Sequence, residues 1–543
     1  MRIIKFSSFL PGFLSVFLVG ITYTHAASYY ISPLGNDSNS GTSPLMAWKT
    51  IDKVNSTIFF PGDFILFEGG KNFTGTIYFD STVTGTSTLP ITISSYGIGR
   101  AKIKPGVDTG FFAYNTAGFL LKNINFVGSG RDINTSDGIL FYNDLPGDQK
   151  LEYVHIDRVQ VRGFGSWGIA IGGGNGKSGF RDIRITKTKS YDNTDGILIW
   201  GAFSSTSTQY SNEDVYIGHT EAYNNSGIPG LPYNTGNGIT VSDTDGGIIE
   251  RCVAHDNGWL NTAVGGPIGI WAWDSNNIVI QYNESYNNRT ASSADGGGFD
   301  LDGGVTNSVM QYNYSHDNDG AGFLLAQFDD ARPFSGNTIR YNISQNDGRK
   351  NSYGAIEVWN GGSGITNTQI YNNTIYVSPT TNGSPKAMSI ISPTRNVHVR
   401  NNIFITTGGL RLVKVVSGQK GILFQGNDYW PSGGSFVVNW GSETYASLSS
   451  WRNSTGQEKM GTVNTGFSVD PKLVNPGGGG SFGNPSFLST LSDYFLQSSS
   501  PLIDKGLNLF NKFGINPGLK DFYGNTIPQG AGYDVGAHDT KLD

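Results

Sequence analysis

Apolar and polar positions alternate along most of this chain in short runs that recur. One class of strand alternates as Asp182-Ile183-Arg184-Ile185, Asp214-Val215-Tyr216-Ile217, Asn277-Ile278-Val279-Ile280 and Asn396-Val397-His398-Val399. A polar turn then recurs at a fixed offset, as Tyr191-Asp192-Asn193, Tyr223-Asn224-Asn225, His255-Asp256-Asn257, Tyr286-Asn287-Asn288 and His316-Asp317-Asn318. A second strand follows in Gly196 to Trp200, Gly238 to Ser242 and Gly269 to Trp273, and again in Phe299 to Asp302, Phe323 to Ala326 and Ile356 to Trp359. Alternate residues of a strand share a face, so Ile197, Ile239, Ile270, Phe299 and Phe323 are expected to stack as one interior column. Self-similarity of this kind, with turn insertions of varying length, predicts a solenoid whose insertions gather on a binding face.

The repeat excludes several alternatives. No long segment has helical periodicity, and two or three strands per unit are too few for a propeller blade. The quoted rungs resemble the parallel β-helix repeats of the pectate-lyase-like superfamily. That resemblance implies an all-β, single-stranded right-handed parallel β-helix, and a secreted carbohydrate-active enzyme. The stretch Tyr29 to Asp37 followed by Trp48-Lys49-Thr50-Ile51 resembles the N-terminal cap of such proteins. Ser468 to Pro476, Ser500 to Asp504 and Gln529 to Gly536 resemble their irregular C-terminal end. The expected layout is a signal peptide over 1–26, a cap with first rungs over 27–117, repeats over 118–430, and a C-terminal segment over 431–543 packing on the solenoid.

The signal rests on Arg2 and Lys5, an apolar run from Phe9 to Ile21 that is short for a membrane span, and a small-residue cleavage site at Thr24-His25-Ala26. A secreted or periplasmic monomer is expected. Cys252 is the single cysteine, so no internal disulfide can form and the core must hold the chain. Charge changes the picture little: 37 basic against 43 acidic residues give a mildly acidic protein, which argues against nucleic acid or an anionic membrane as partner. The 76 glycines suit many tight turns.

Chemistry is sought in the outward columns. Aligning the second strands gives Leu198, Thr240, Trp271, Asp300, Leu324, Glu357 in one column and Trp200, Ser242, Trp273, Asp302, Ala326, Trp359 in its neighbour. With rungs about 4.8 Å apart, Asp300 and Glu357 stand two rungs, about 9 to 10 Å, from each other. Asp300 and Asp302 are about 6.6 Å apart along their strand. Flat aromatic faces stack on sugar rings, so Trp271, Trp273 and Trp359 beside three acids point to a polysaccharide-binding groove.

The leading expectation is a glycoside hydrolase with Asp300 and Glu357 as acid and base and Asp302 tuning its neighbour. The alternative is a polysaccharide lyase or uronate epimerase, which needs a cation or Ca²⁺ to neutralise a uronate and a Lys, Arg, His or Tyr base; Arg332, Arg349 and Lys350 lie in the flanking loops and His316 is near. A non-catalytic sugar-binding solenoid is the third class. His316 and His255 occupy equivalent turn positions, which also fits a structural role, as it does for the turn asparagines. No cofactor is required. Ca²⁺ could nonetheless be held by Asp295, Asp300, Asp302, Asp317 and Asp319, all hard oxygen ligands, although no EF-hand spacing is present.

Overall fold

The computed structural model describes residues 26–362 and 364–541. The expected signal peptide therefore lies almost wholly outside the described residues. The chain winds as a right-handed parallel β-helix, each turn contributing one strand to each of three sheets. Sheet I has 14 strands and includes Asp195–Trp200 and Gly297–Leu301; sheet II has 15 and includes Asn212–Gly218; sheet III has 13 and includes Glu221–Tyr223. Strands pair from Ser28–Ile31 onward, so the ladder already runs through the N-terminal region.

Register follows the alternation. Ile197 pairs with Ile239, Ile239 with Ile270, Ile270 with Phe299, Phe299 with Phe323 and Phe323 with Ile356. All are fully buried, and the rings of Phe299 and Phe323 stack at 5.3 Å. Cys252 is buried in the same core as an apolar filler.

At the corners the backbone must turn while its polar groups stay satisfied. Two ladders of asparagine side chains do this. One runs Asn225, Asn257, Asn288, Asn318, each amide donating to the next carbonyl at 2.9 to 3.0 Å and ending on Asp347. The other runs Asn283, Asn313, Asn342, Asn373, Asn402, Asn427 at 2.9 to 3.1 Å and ends on the buried carboxyl of Glu458. The residue before each rung of the first ladder, Asn224, Asp256, Asn287 and Asp317, is left-handed, a conformation that Asn and Asp tolerate.

Both ends are closed. Trp48 and Phe59 pack over the first rungs. At the other end the antiparallel pair Val438–Trp440 and Glu443–Tyr445 stops sheet I, and the helix Leu448–Thr455 sets Trp451 against Phe424 and Tyr429. The remaining C-terminal chain covers sheets II and III. Gln345 bonds Gly479 and Tyr494, Asn372 bonds Asp534 and Gly536, and Glu284 accepts the N–H groups of Phe482 and Gly483. Sheet I keeps its outward columns for the loops that follow each rung.

The ladder generates a stability prediction. Asn313 accepts the Asn283 N–H at 3.0 Å and donates to Ile280 at 2.8 Å. Asn313→Ala strands these buried partners and should destabilise the fold by about 1–3 kcal/mol in chemical denaturation; an unchanged midpoint and slope would contradict a stabilising ladder.

Candidate active site

The outward columns of sheet I carry the register expected from sequence. Thr240 pairs with Trp271, Trp271 with Asp300, Asp300 with Leu324, and Leu324 with Glu357. Beside it Ser242 pairs with Trp273, and Ala326 with Trp359. What alternation does not reveal is which column the loops cover.

The first column is covered. Asp300 and Glu357 are each 2% exposed, and Leu324 between them is 4%. Trp271, at 7%, packs with Ile268, Ala321, Leu324 and Tyr353 rather than facing solvent. The second column borders an open groove of about 520 Å³, lined by Trp167, Trp200, Trp271, Trp273, Phe328 and Asp302 among others. Trp359, 38% exposed, stands on the far side of Asp302, beyond Ala326. Among the described residues lining the groove there is no Lys or Arg.

The groove wall is built from outside the columns. Phe203 lies 6.0 Å from both Trp273 and Phe328. Phe328 sits so tightly over Gly303 that a Cβ there would lie 2.1 Å from its ring, so any larger residue would displace this wall. Behind this wall Arg332 is buried. Its guanidinium bonds Asp243 at 2.7 Å, Asp274 at 2.9 Å and the carbonyls of Ser204 and Gln209, each at 3.1 Å, and lies over the Tyr210 ring. Lys177 shares Asp243 at 2.8 Å. Arg332 is thus committed to holding the loop that carries Phe203, and its charge does not reach the groove. Arg332 is not among the residues lining the groove, where it was expected to meet substrate.

His316 belongs to sheet III, where its ring continues the parallel stack Tyr191, Tyr223, His255, Tyr286 at 4.8 to 5.0 Å spacing. Its nitrogens face Asp317 at 3.0 Å and Glu284 at 3.4 Å. Burial works against its charge but these carboxylates raise its pKa on balance. It is thus a rung of sheet III, on a different sheet from Asp300.

Four carboxyls remain to be placed: Asp295 and Asp302 lie near enough to Asp300 to raise its pKa, and Glu357 stands two rungs from Asp300, beyond Leu324. Burial raises the pKa of each. Asp300, whose Oδ1 has no hydrogen-bond partner, is pushed well above the ordinary carboxylate range by burial and then by the charges of Asp302 and Asp295. Asp302 is pushed up to about 6 by burial and by Asp295, against one hydrogen bond at 2.6 Å from Gly303 N–H. Asp295 is also raised by burial, but accepts Gly266 N–H at 2.7 Å and the Tyr353 hydroxyl at 2.9 Å, both of which favour its charged form. Glu357 is raised by burial, opposed by Gly354 N–H at 2.7 Å and the ammonium of Lys386. Of the four only Asp302 and Asp295 are partly rather than fully buried.

Asp195 and Tyr353 were not expected at this site, and Asp295 was expected only as a possible metal ligand. Asp195 precedes Gly196, and strict alternation with Ile197 would turn it inward; instead it lines the groove, accepting Asn237 N–H at 2.8 Å, with a pKa pushed up to about 7 by burial. Asp295 lies in a left-handed turn with Gly296, outside any strand, where periodicity is silent. Of the carboxyls that could hold Ca²⁺, Asp295, Asp300 and Asp302 lie near one another, whereas Asp317 and Asp319 are engaged elsewhere. Asp319 pairs with Arg289 at 3.1 Å and Asp317 with His316, and among the described residues no three acidic, His or Cys side chains form a group suited to a metal.

The family described as right handed beta helix region matches residues 204–375. Lacto-N-biosidase of Bifidobacterium longum subsp. longum is 26% identical over 457 residues, a match covering 66% of this chain. The chain spans 28% of that relative's length. Among solved structures, GH136 lacto-N-biosidase from Eubacterium ramulus is 16% identical with a TM-score of 0.44, over 73% of this chain and 68% of the other. Pectate lyase Pel9A is 18% identical with a TM-score of 0.44, over 95% and 97% of the two chains.

The two tryptophans separate by experiment. Trp273→Ala should weaken sugar binding in calorimetry and leave the melting temperature nearly unchanged. Trp271→Ala should cost about 3–5 kcal/mol of stability, as removal of a buried indole does. Equal effects on binding and stability in both variants would contradict the difference in cover.

Proposed function

We propose that this protein is a secreted glycoside hydrolase that cleaves chains of neutral sugars laid along the groove of sheet I. The observation carrying this reading is the pair of partly buried carboxyls, Asp302 at the groove and Asp295 close enough to raise it, beside clustered aromatic rings and with no cation among the described residues that line the groove. Aromatic faces cover sugar rings, and two carboxyls with unlike environments divide acid and base work. Asp302, held near 6, keeps a proton to donate to the departing oxygen. Asp295, with donors on both oxygens, serves as the carboxylate partner. Asp300 stays neutral beneath them. Glu357, walled off by Leu324, does not touch substrate, so the expected Asp300–Glu357 pair gives way to Asp302 and Asp295.

The likeness to lacto-N-biosidase supports hydrolysis and suggests lacto-N-biosides as the first glycans to try. The lyase alternative requires a cation to neutralise a uronate and a base to take its proton. Lys350 donates to the Thr290 carbonyl at 2.6 Å, Arg332 is held in its ion pairs, and His316 is on another sheet. None of the three supports that chemistry in the groove. The proposal needs no cofactor.

Asp302→Asn and Asp295→Asn should each lower kcat/KM by about 10²–10⁴, while Asp300→Asn should lower it far less. A substrate with a good leaving group should restore the Asp302 variant and not the Asp295 variant. Because Asp302 must be protonated to act, wild-type kcat/KM should fall as pH rises through about 6. Full activity of Asp302→Asn would end this assignment.

A further inference from the structure

Asp295 lies on a loop between strands, yet an acid–base residue must be held to a fraction of an ångström. Its support comes from two rungs away. The Tyr353 hydroxyl donates to Asp295 Oδ1 at 2.9 Å and accepts the Asp295 N–H at 3.0 Å, so one phenol fixes both ends of the residue. The Tyr353 ring packs against the cluster of Trp271, Leu324 and Ala326.

The segment carrying Tyr353 is itself braced on both sides. Toward the acid, Lys350 Nζ donates to Thr290 O at 2.6 Å and Asn351 Nδ2 to Ser292 O at 3.4 Å. Away from it, Lys386 Nζ donates to Ser352 O, and Ser384 N–H to Ser352 Oγ at 3.0 Å. At its end Gly354 N–H donates to Glu357 Oε2 at 2.7 Å. Glu357 and Lys386, both buried, thus grip the two residues that flank Tyr353.

We propose that Tyr353 is a positioning residue for Asp295, and that Lys350, Lys386 and Glu357 act in the same site by bracing its loop. This rests on the hydrolase reading above. It gives two residues that first suggested proton transfer and substrate binding, Glu357 and Lys350, a mechanical part instead. The charged and titratable groups facing Asp295 are Asp300, Asp302 and Tyr353, while Asp319 on the adjoining turn is neutralised by Arg289.

The test is Tyr353→Phe in the full chain, assayed on an aryl glycoside that wild type cleaves, beside Asp295→Asn and Lys350→Met. Loss of the hydroxyl should lower kcat by about tenfold to a hundredfold with KM within about twofold, as for a misplaced reacting group. Removing a donor from the carboxylate raises its pKa, so one limb of the pH–rate profile should move to higher pH. Lys350→Met should show the same pattern more weakly. If Tyr353→Phe lowers only the melting temperature, with kcat per folded molecule and both pH limbs as in wild type, the inference fails. If Asp295→Asn is as active as wild type, the hydrolase assignment fails with it; an inactive Asp295→Asn beside a normal Tyr353→Phe overturns the positioning role alone.

Discussion

Everything at the candidate site depends on the buried amides at the corners of the solenoid. A parallel β-helix must turn three times per rung inside a dry core, and each turn exposes backbone groups that water cannot reach. At two of the three corners the ladders from Asn225 to Asp347 and from Asn283 to Glu458 satisfy such groups, and each side-chain bond reaches one rung on. They thereby lock successive rungs in step. With the rungs in step, Trp271 lies beside Asp300, and Trp273 lies one rung before the level of Asp302. A slip of one residue would turn each of these side chains into the core.

Upon that fixed lattice, the loops decide chemistry by choosing what to cover. The column of Trp271, Asp300 and Glu357 is roofed by the loops bearing Asp295 and Tyr353, and burial drives its carboxyls toward the neutral form. The neighbouring column stays open, with Asp302 at the boundary between roofed and open ground. Burial raises the pKa of Asp302 to about 6 while its side chain still borders the groove. The buried ion cluster of Arg332, Asp243, Asp274 and Lys177 serves the same division, since it fixes the loop whose Phe203 walls the groove.

The fold was legible because it is written in periodicity. Alternation gave the interior column, and the recurring Asn gave the corners. The outward alignment of Asp300 with Glu357 and of Trp273 with Trp359 needed nothing more than counting residues. Periodicity carries no information about loops, however, and there the reading went astray. Trp271 and Glu357 looked exposed because alternation says outward, not uncovered. Arg332 looked free because the partners that neutralise it, Asp243 and Asp274, are 89 and 58 positions away in the chain. His316 was set near the acids by sequence proximity, although its strand turns onto a different sheet. Asp295 and Tyr353, 58 positions apart, meet through two loops that no repeat describes.

The central claim is that the groove hydrolyses a neutral sugar chain rather than eliminating across a uronate. Incubating the purified protein with a panel of neutral and acidic glycans, and following reducing ends and ultraviolet absorbance together, tests it directly. The account predicts new reducing ends from a neutral glycan with no absorbance rise, lost in Asp302→Asn. Products from a uronate-containing glycan that absorb as unsaturated sugars, formed undiminished by Asp302→Asn, would contradict it.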